Sequence, residues 1–163
     1  MHDASPGHLL LWQNGVWGYV QQTAMTDPAT FQFGTRDSKE TIEEGAAFAP
    51  KFDENGLIAA MAVDADTGKP LMLAYMNEAT LRETLACGKA VYWSRSRSKR
   101  WLKGETSGEF QEIVEILTDC DQDALILRVR QHGGGRCHTH RASCFYRRVS
   151  APTEGGLVAL EKA

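Results

Sequence analysis

Apolar and polar positions alternate with short periods along most of this chain, and the changes of period mark out its elements. Leu125, Leu127 and Val129 alternate with Ile126, Arg128 and Arg130, a period of two that predicts a strand with one buried face. Leu57–Val63 and Leu71–Met76 are short apolar runs separated by the turn cluster Asp64-Ala-Asp-Thr-Gly-Lys-Pro70, which predicts a hairpin. Asn77 stands where an N-cap belongs for a helix over Glu78–Cys87, with Leu81 and Leu85 on one face and Gly88 just past the end. Ala90–Arg95, Phe110–Leu117 and Cys144–Val149 read as further strands. Strands outnumber helices, so the pattern predicts an α+β domain on a mostly antiparallel sheet or pseudo-barrel with one main helix.

The pattern also divides the chain. Residues 1–35 have little periodicity and no basic residue before Arg36, so they are expected to form a poorly ordered N-terminal extension. Within them, Met25 before Thr-Asp-Pro is a candidate natural start, and Trp12, Trp17 and Tyr19 are candidates for a small apolar tuck against the body. Residues 36–150 carry the domain, and 151–163 read as a polar and small-residue tail. The N-terminus has neither the basic region of a secretory signal nor the arginines of a transit peptide. The longest apolar run, Leu57–Val63, is far short of the ~20 residues of a membrane helix. A soluble, cytoplasmic protein is expected.

Composition sharpens this in two places. The 163 residues hold 18 Lys plus Arg against 21 Asp plus Glu, so there is no global basic field of the kind that packages nucleic acid. Four cysteines are too few for a secreted disulfide scaffold. Cys87 belongs to the predicted helix, where a small buried residue is the plain reading, whereas Cys120, Cys137 and Cys144 fall close together.

Asp119-Cys120-Asp121-Gln122-Asp123 is the densest chemistry in the chain. Carboxylates at alternate positions project to one side of an extended segment or converge in a tight loop, with Cys120 on the other side. Three hard oxygens suit Mg²⁺ and a thiolate suits Zn²⁺. An EF-hand is excluded, because its sixth and twelfth positions would be Ala124 and Arg130 rather than Gly and Glu. Cys120, Cys137 and Cys144 match the ligand count of a catalytic zinc with an open position. A fourth ligand from His138 or His140 would make the site structural, and three unliganded buried thiols remain the plain alternative. An open zinc lowers the pKa of bound water to about 7. His138, beside Cys137, is the favoured proton-transfer group, its alternative being a role in orienting a ligand.

Between residues 93 and 108 lie five of the 18 basic side chains, Arg95, Arg97, Lys99, Arg100 and Lys103, interleaved with Ser94, Ser96, Thr106, Ser107 and Gly108 and flanked by Trp93 and Trp101. Guanidinium groups and hydroxyls pair phosphate and indoles stack bases, so a nucleotide or single-stranded nucleic acid would satisfy this loop. A solvated loop is the alternative. Glu105, a carboxylate inside this stretch, is either an ion-pair partner or a second proton-transfer group.

Four motifs, in order, resemble those of the phosphoribosyl-AMP cyclohydrolases of histidine biosynthesis: Tyr92-Trp-Ser-Arg-Ser-Arg97, Trp101-Leu-Lys-Gly-Glu-Thr-Ser-Gly108, Asp119-Cys-Asp-Gln-Asp123, and Cys137-His-Thr with Ser143-Cys-Phe-Tyr-Arg147. The resemblance spans about residues 45–149. It implies Mg²⁺ on Asp119, Asp121 and Asp123, and Zn²⁺ on Cys120, Cys137 and Cys144. It also implies a homodimer in which one protomer supplies Cys120 and its mate the other two cysteines, and a reaction that opens the adenine ring of 1-(5-phosphoribosyl)-AMP between N1 and C6 by hydrolysis. Substrate contacts are then expected from Trp93, Ser94, Arg95, Ser96, Arg97, Lys103, Thr106, Ser107 and Gly108. His140 and Gln122 stand where this family commonly has Gly; the Gln122 side chain is expected to lie away from the metals. The second enzymatic domain fused to some relatives is not expected here. From a different class, a zinc-stabilised nucleotide- or RNA-binding module without catalysis would also fit the cysteines and the basic loop.

Overall fold

Six strands pair into one curled sheet, and the hairpins within it follow from local chain chemistry. The computed structural model describes residues 8–13, 16–21, 27–28, 31–134, 137, 139, 141–151 and 158–162, the first two stretches through their backbone alone. In chain order the elements are β1 (His8–Gln13), β2 (Val16–Gln21), α1 (Lys39–Glu43), β3 (Ile58–Asp64), β4 (Pro70–Met76), α2 (Glu78–Cys87), β5 (Val91–Ser94), β6 (Lys99–Leu102), β7 (Gln111–Thr118), β8 (Ala124–Gln131), β9 (Arg147–Ser150) and β10 (Ala159–Lys162). The main sheet runs β6-β5-β4-β3-β8-β7. Its neighbours are antiparallel except β3 and β8, which run parallel. This is the expected α+β architecture, with a half-barrel rather than a closed one.

The β3–β4 hairpin and α2 form where the apolar pattern places them. Asn77 Oδ1 accepts the Thr80 N–H at 2.9 Å, and Thr80 Oγ1 accepts the Asn77 N–H at 3.0 Å. Gly88 ends the helix at φ 67°, a left-handed conformation that glycine adopts without a Cβ penalty. Leu81 of α2 joins Ile58, Ala60, Ala62, Met76, Leu125, Leu127 and Val129 in the core. The buried Thr84 hydroxyl accepts the Val91 N–H at 3.0 Å, tying the helix to β5. The curl is completed beyond Gly88: Lys89 bridges Glu112, and Ile113 N–H donates to the Gly88 carbonyl at 2.8 Å.

Two expected boundaries move. The basic stretch is a hairpin rather than a loop, with β5 paired to β6 in the register Val91↔Leu102 through Ser94↔Lys99. Its turn uses Ser98 at φ 45°, a left-handed residue that no glycine advertises. The last expected strand starts three residues late, at Arg147, and pairs with β10 instead of the main sheet. β1 and β2 pair as a hairpin of their own, and Phe33 packs against the core. The side chains of Trp12, Trp17 and Tyr19, and all of Met25, lie outside the described residues.

Candidate active site

The β7–β8 turn gathers the three aspartates. Asp119 Oδ1 accepts the N–H groups of Asp123 at 3.0 Å and Ala124 at 3.1 Å, which closes the loop around the first carboxylate. One carboxylate oxygen from each of Asp119, Asp121 and Asp123 then falls within 4.8 Å of the others. Gln122 supplies the left-handed residue of this loop at φ 60°, the geometry for which glycine is the usual choice. Its side chain does turn away from the carboxylates. It is buried, accepting the Ala49 N–H at 2.7 Å and donating to the Ile42 carbonyl at 2.8 Å.

That clamp fastens residues 36–51 across the aspartate loop. Arg36 donates to the carbonyls of Ala49 and Asp121, and Lys51 N–H donates to the Gln122 carbonyl at 2.7 Å. Lys51 Nζ donates to Asp121 Oδ2 at 3.0 Å and to Asp123 Oδ2 at 3.1 Å. The ammonium group holds the Asp121 carboxyl below the usual range, and the two carboxylates raise the lysine in turn. Hard oxygens converging on a cationic group are the donor set a divalent ion takes, so these residues fit Mg²⁺. Nothing in the sequence connects Lys51 to a cluster 70 residues away.

Cys137 and Cys144 form a second centre. Their thiols lie close enough for each to shift the other's titration. Thr139 Oγ1 donates to Cys137 Sγ at 3.1 Å, which lowers the Cys137 thiol from its ordinary value. Cys144, although exposed as a whole residue, is pushed up to about 11 by burial of its sulfur and by Cys137. Lys103, only 8% exposed, lies near enough for its charge to favour the Cys144 thiolate. Two soft donors with a cation beside them fit part of a zinc site. Among the described residues the aspartates form the one trio of metal-ligating groups within reach of a single ion, so Cys120 does not join Cys137 and Cys144 within one chain. Cys120 is exposed and lines a separate hollow between its own loop and residues 42–48. Cys87 is partly buried, with its thiol directed at the Lys89 carbonyl. His138 and His140 lie outside the described residues.

A bulge in the β3–β4 ladder holds Cys144 in place. Ala62 pairs with Met72 and Val63 with Pro70, so Leu71 is the extra residue. Its carbonyl accepts the Cys144 N–H at 2.8 Å, and the Pro70 carbonyl accepts Ser143 Oγ at 2.6 Å.

The basic hairpin forms the wall of a cleft of about 550 Å³ lined by Leu73–Tyr75, Trp93–Arg97 and Trp101. The Arg95 guanidinium sits 3.8 Å from the Tyr75 ring centre, a contact set by the rung that pairs Tyr75 with Trp93. Arg97 Nε donates to Ser94 Oγ at 3.0 Å. Glu105 is exposed and pairs with Arg100 at 3.3 Å. Thr106, Ser107 and Gly108 are also exposed, in the turns that follow β6. Tyr75 carried no signal in the sequence; only strand register brings it to Arg95.

On the same sheet face, Leu117, Ile126, Met61 and Leu73 stand side by side across β7, β8, β3 and β4. Leu73, Leu117 and Ile126 are each more than 40% exposed. They line an apolar groove of about 340 Å³ that reaches Asp119 at one end and shares Leu73 with the aromatic cleft. Among the described residues no helix is long and apolar enough to cross a membrane.

The model of one protein family, phosphoribosyl-AMP cyclohydrolase, matches residues 72–146. Proteins of that name from Hyphomonas neptunium and Brucella anthropi are 58% and 59% identical to the chain, over 117 and 126 residues. These alignments take in 72% and 77% of this chain and 86% and 89% of the relatives. A Brucella abortus protein of the same name is 58% identical over 126 residues, 77% of this chain and 89% of the relative.

Proposed function

Because the chain belongs to the phosphoribosyl-AMP cyclohydrolase family, we propose that it opens the adenine ring of 1-(5-phosphoribosyl)-AMP between N1 and C6 by hydrolysis, as a cytoplasmic enzyme of histidine biosynthesis. The observation that carries the chemistry is the thiol pair Cys137–Cys144 set against the buried Lys103. The alternative of a binding module without catalysis gives way, since relatives covered over most of their length bear an enzyme's name.

In this reading Cys137, Cys144 and Cys120 hold Zn²⁺, and Asp119, Asp121 and Asp123 hold Mg²⁺. Bound zinc supplies Lewis acidity and brings the pKa of water down to about 7. The remaining work falls to this chain's own side chains. Arg95 and Arg97 pair with the phosphates, with Ser94, Ser96, Thr106, Ser107 and Gly108 as further hydrogen-bonding groups. Trp93 offers an aromatic surface to the base. Lys103 offsets the negative charge of the thiolates as well as facing the substrate. His138 moves the proton at the ring, and Glu105, held by Arg100, is the second proton-transfer group.

The homodimer of this reading has two supports. Cys120 is directed to a different part of the surface from the thiol pair, so a complete thiolate set needs a second copy. Exposed Leu117, Ile126 and Leu73, with the half-buried Met61 between them, form an apolar surface for that copy to cover. Purified protein tests the whole reading. Chelation is expected to remove zinc and ring-opening absorbance change together while the dimer stays folded. Cys137→Ala is expected to lose both, and Cys87→Ala neither. Full turnover by Cys137→Ala would overturn the ligand assignment.

A further inference from the structure

The ammonium group of Lys51 lies between Asp121 and Asp123, 3.0 and 3.1 Å from one oxygen of each. Both carboxylates belong to the trio that could share one ion. An ion bound to the same two oxygens at the ~2.1 Å of a magnesium ligand would sit within roughly 5 Å of Nζ. Both cations would then draw on the same carboxylates while repelling each other. The site therefore admits a divalent ion readily only when the lysine withdraws.

The chain is built for such a withdrawal. The Lys51 main chain is fixed, its N–H on the Gln122 carbonyl at 2.7 Å, two residues from the Ala49 N–H that binds Gln122 Oε1. Its side chain is half exposed and has four rotatable bonds. A fixed root with a free end keeps the ammonium at high local concentration and lets it leave without disturbing the loop. We propose that Lys51 is a tethered cation that keeps the three carboxylates gathered when no metal is present and is exchanged for the divalent ion when one binds. The proposal rests on the reading of the aspartates as the Mg²⁺ site.

The test is calorimetric titration of Mg²⁺ into the zinc-loaded full chain, compared among wild type, Lys51→Met, Lys51→Arg and Asp121→Asn. Lys51→Met is expected to bind Mg²⁺ roughly tenfold more tightly, the scale on which an exposed ion pair competes. Lys51→Arg is expected to stay near wild type, and Asp121→Asn to bind far more weakly. A purely structural lysine would have the opposite sign, since its loss would weaken the site. In wild type, saturating Mg²⁺ is also expected to increase acetylation of Lys51 by acetic anhydride, read by mass spectrometry. If Asp121→Asn weakens binding while Lys51→Met leaves it unchanged or weaker, the exchange is wrong and the metal site stands. If no substitution alters the titration, the Mg²⁺ reading falls and the exchange with it.

Discussion

Tyr92 Oη donates a 2.7 Å hydrogen bond to Gln111 Oε1, joining two wholly buried side chains from β5 and β7 across the interior of the half-barrel. Burial alone pushes the Tyr92 phenol well above its ordinary value, so it remains a donor throughout the working pH range. Gln111 Nε2 has no hydrogen-bond partner among the described residues, which leaves the tyrosine as the anchor of this amide. Tyr92→Phe is expected to cost about 1–3 kcal/mol in urea unfolding, the penalty of an unsatisfied buried acceptor. Tyr92→Phe combined with Gln111→Leu should cost less than the two singly, because both ends of the bond then disappear. Additive costs would show that the pair is not coupled.

Gln122 answers to two demands, a left-handed backbone and a two-handed amide. Gln122→Ala should lose about 1–3 kcal/mol, because the Ala49 N–H and the Ile42 carbonyl lose their partners. Gln122→Gly loses the same bonds but relieves the left-handed backbone, worth about 1 kcal/mol, so it should be the milder change. In both variants amide exchange at Ala49 should accelerate. Equal stability of the two variants would mean that the backbone stores no strain there.

Glu83 on α2 accepts from Arg100 on β6, Nε to Oε2 at 2.7 Å, and that bond holds its carboxyl below the ordinary value. A carboxyl depressed in the folded state adds stability above its unfolded pKa and loses it as pH falls through the folded one. Wild type should therefore lose more stability than Glu83→Gln between about pH 5 and pH 3. Parallel pH profiles for the two proteins would remove Glu83 from the acid response.

Arg95 over Tyr75 places a guanidinium in the aromatic cleft with no acidic ion-pair partner among the described residues. On the proposed reading, Arg95→Ala should raise KM for the phosphoribosylated substrate by about 10- to 100-fold, the range of a lost charge-assisted hydrogen bond, while bound-metal stoichiometry stays unchanged. Tyr75→Phe keeps the ring and should keep the KM. An unchanged KM in Arg95→Ala would move phosphate recognition to Arg97 or beyond.

What was legible in the sequence was what short-range chemistry dictates. Asn77 and Gly88 bound α2 to the residue, because a cap and a left-handed terminus act within one turn. The period of two around Leu125–Val129 identifies β8 and its buried face for the same reason. Non-local pairings leave no such trace: the parallel β3–β8 contact and the curl at Lys89–Glu112 depend on segments far apart. α1 is five residues long and carries no apolar stripe. At the site, the aspartates and the Cys137–Cys144 pair announce themselves by spacing, whereas Lys51, Arg36 and Tyr75 reach their partners only through the folded register. Their neighbours in sequence belong to unrelated business.

The extra residue at Leu71 is a flaw by the standards of a regular ladder, since a carbonyl is diverted from the sheet. That diversion is what Cys144 hangs on. Deleting one residue there would mend the hairpin and strand the cysteine, so the chain trades perfection in its scaffold for a hook in its chemistry. Selection for a stiffer sheet and selection for a working site would pull this position in opposite directions.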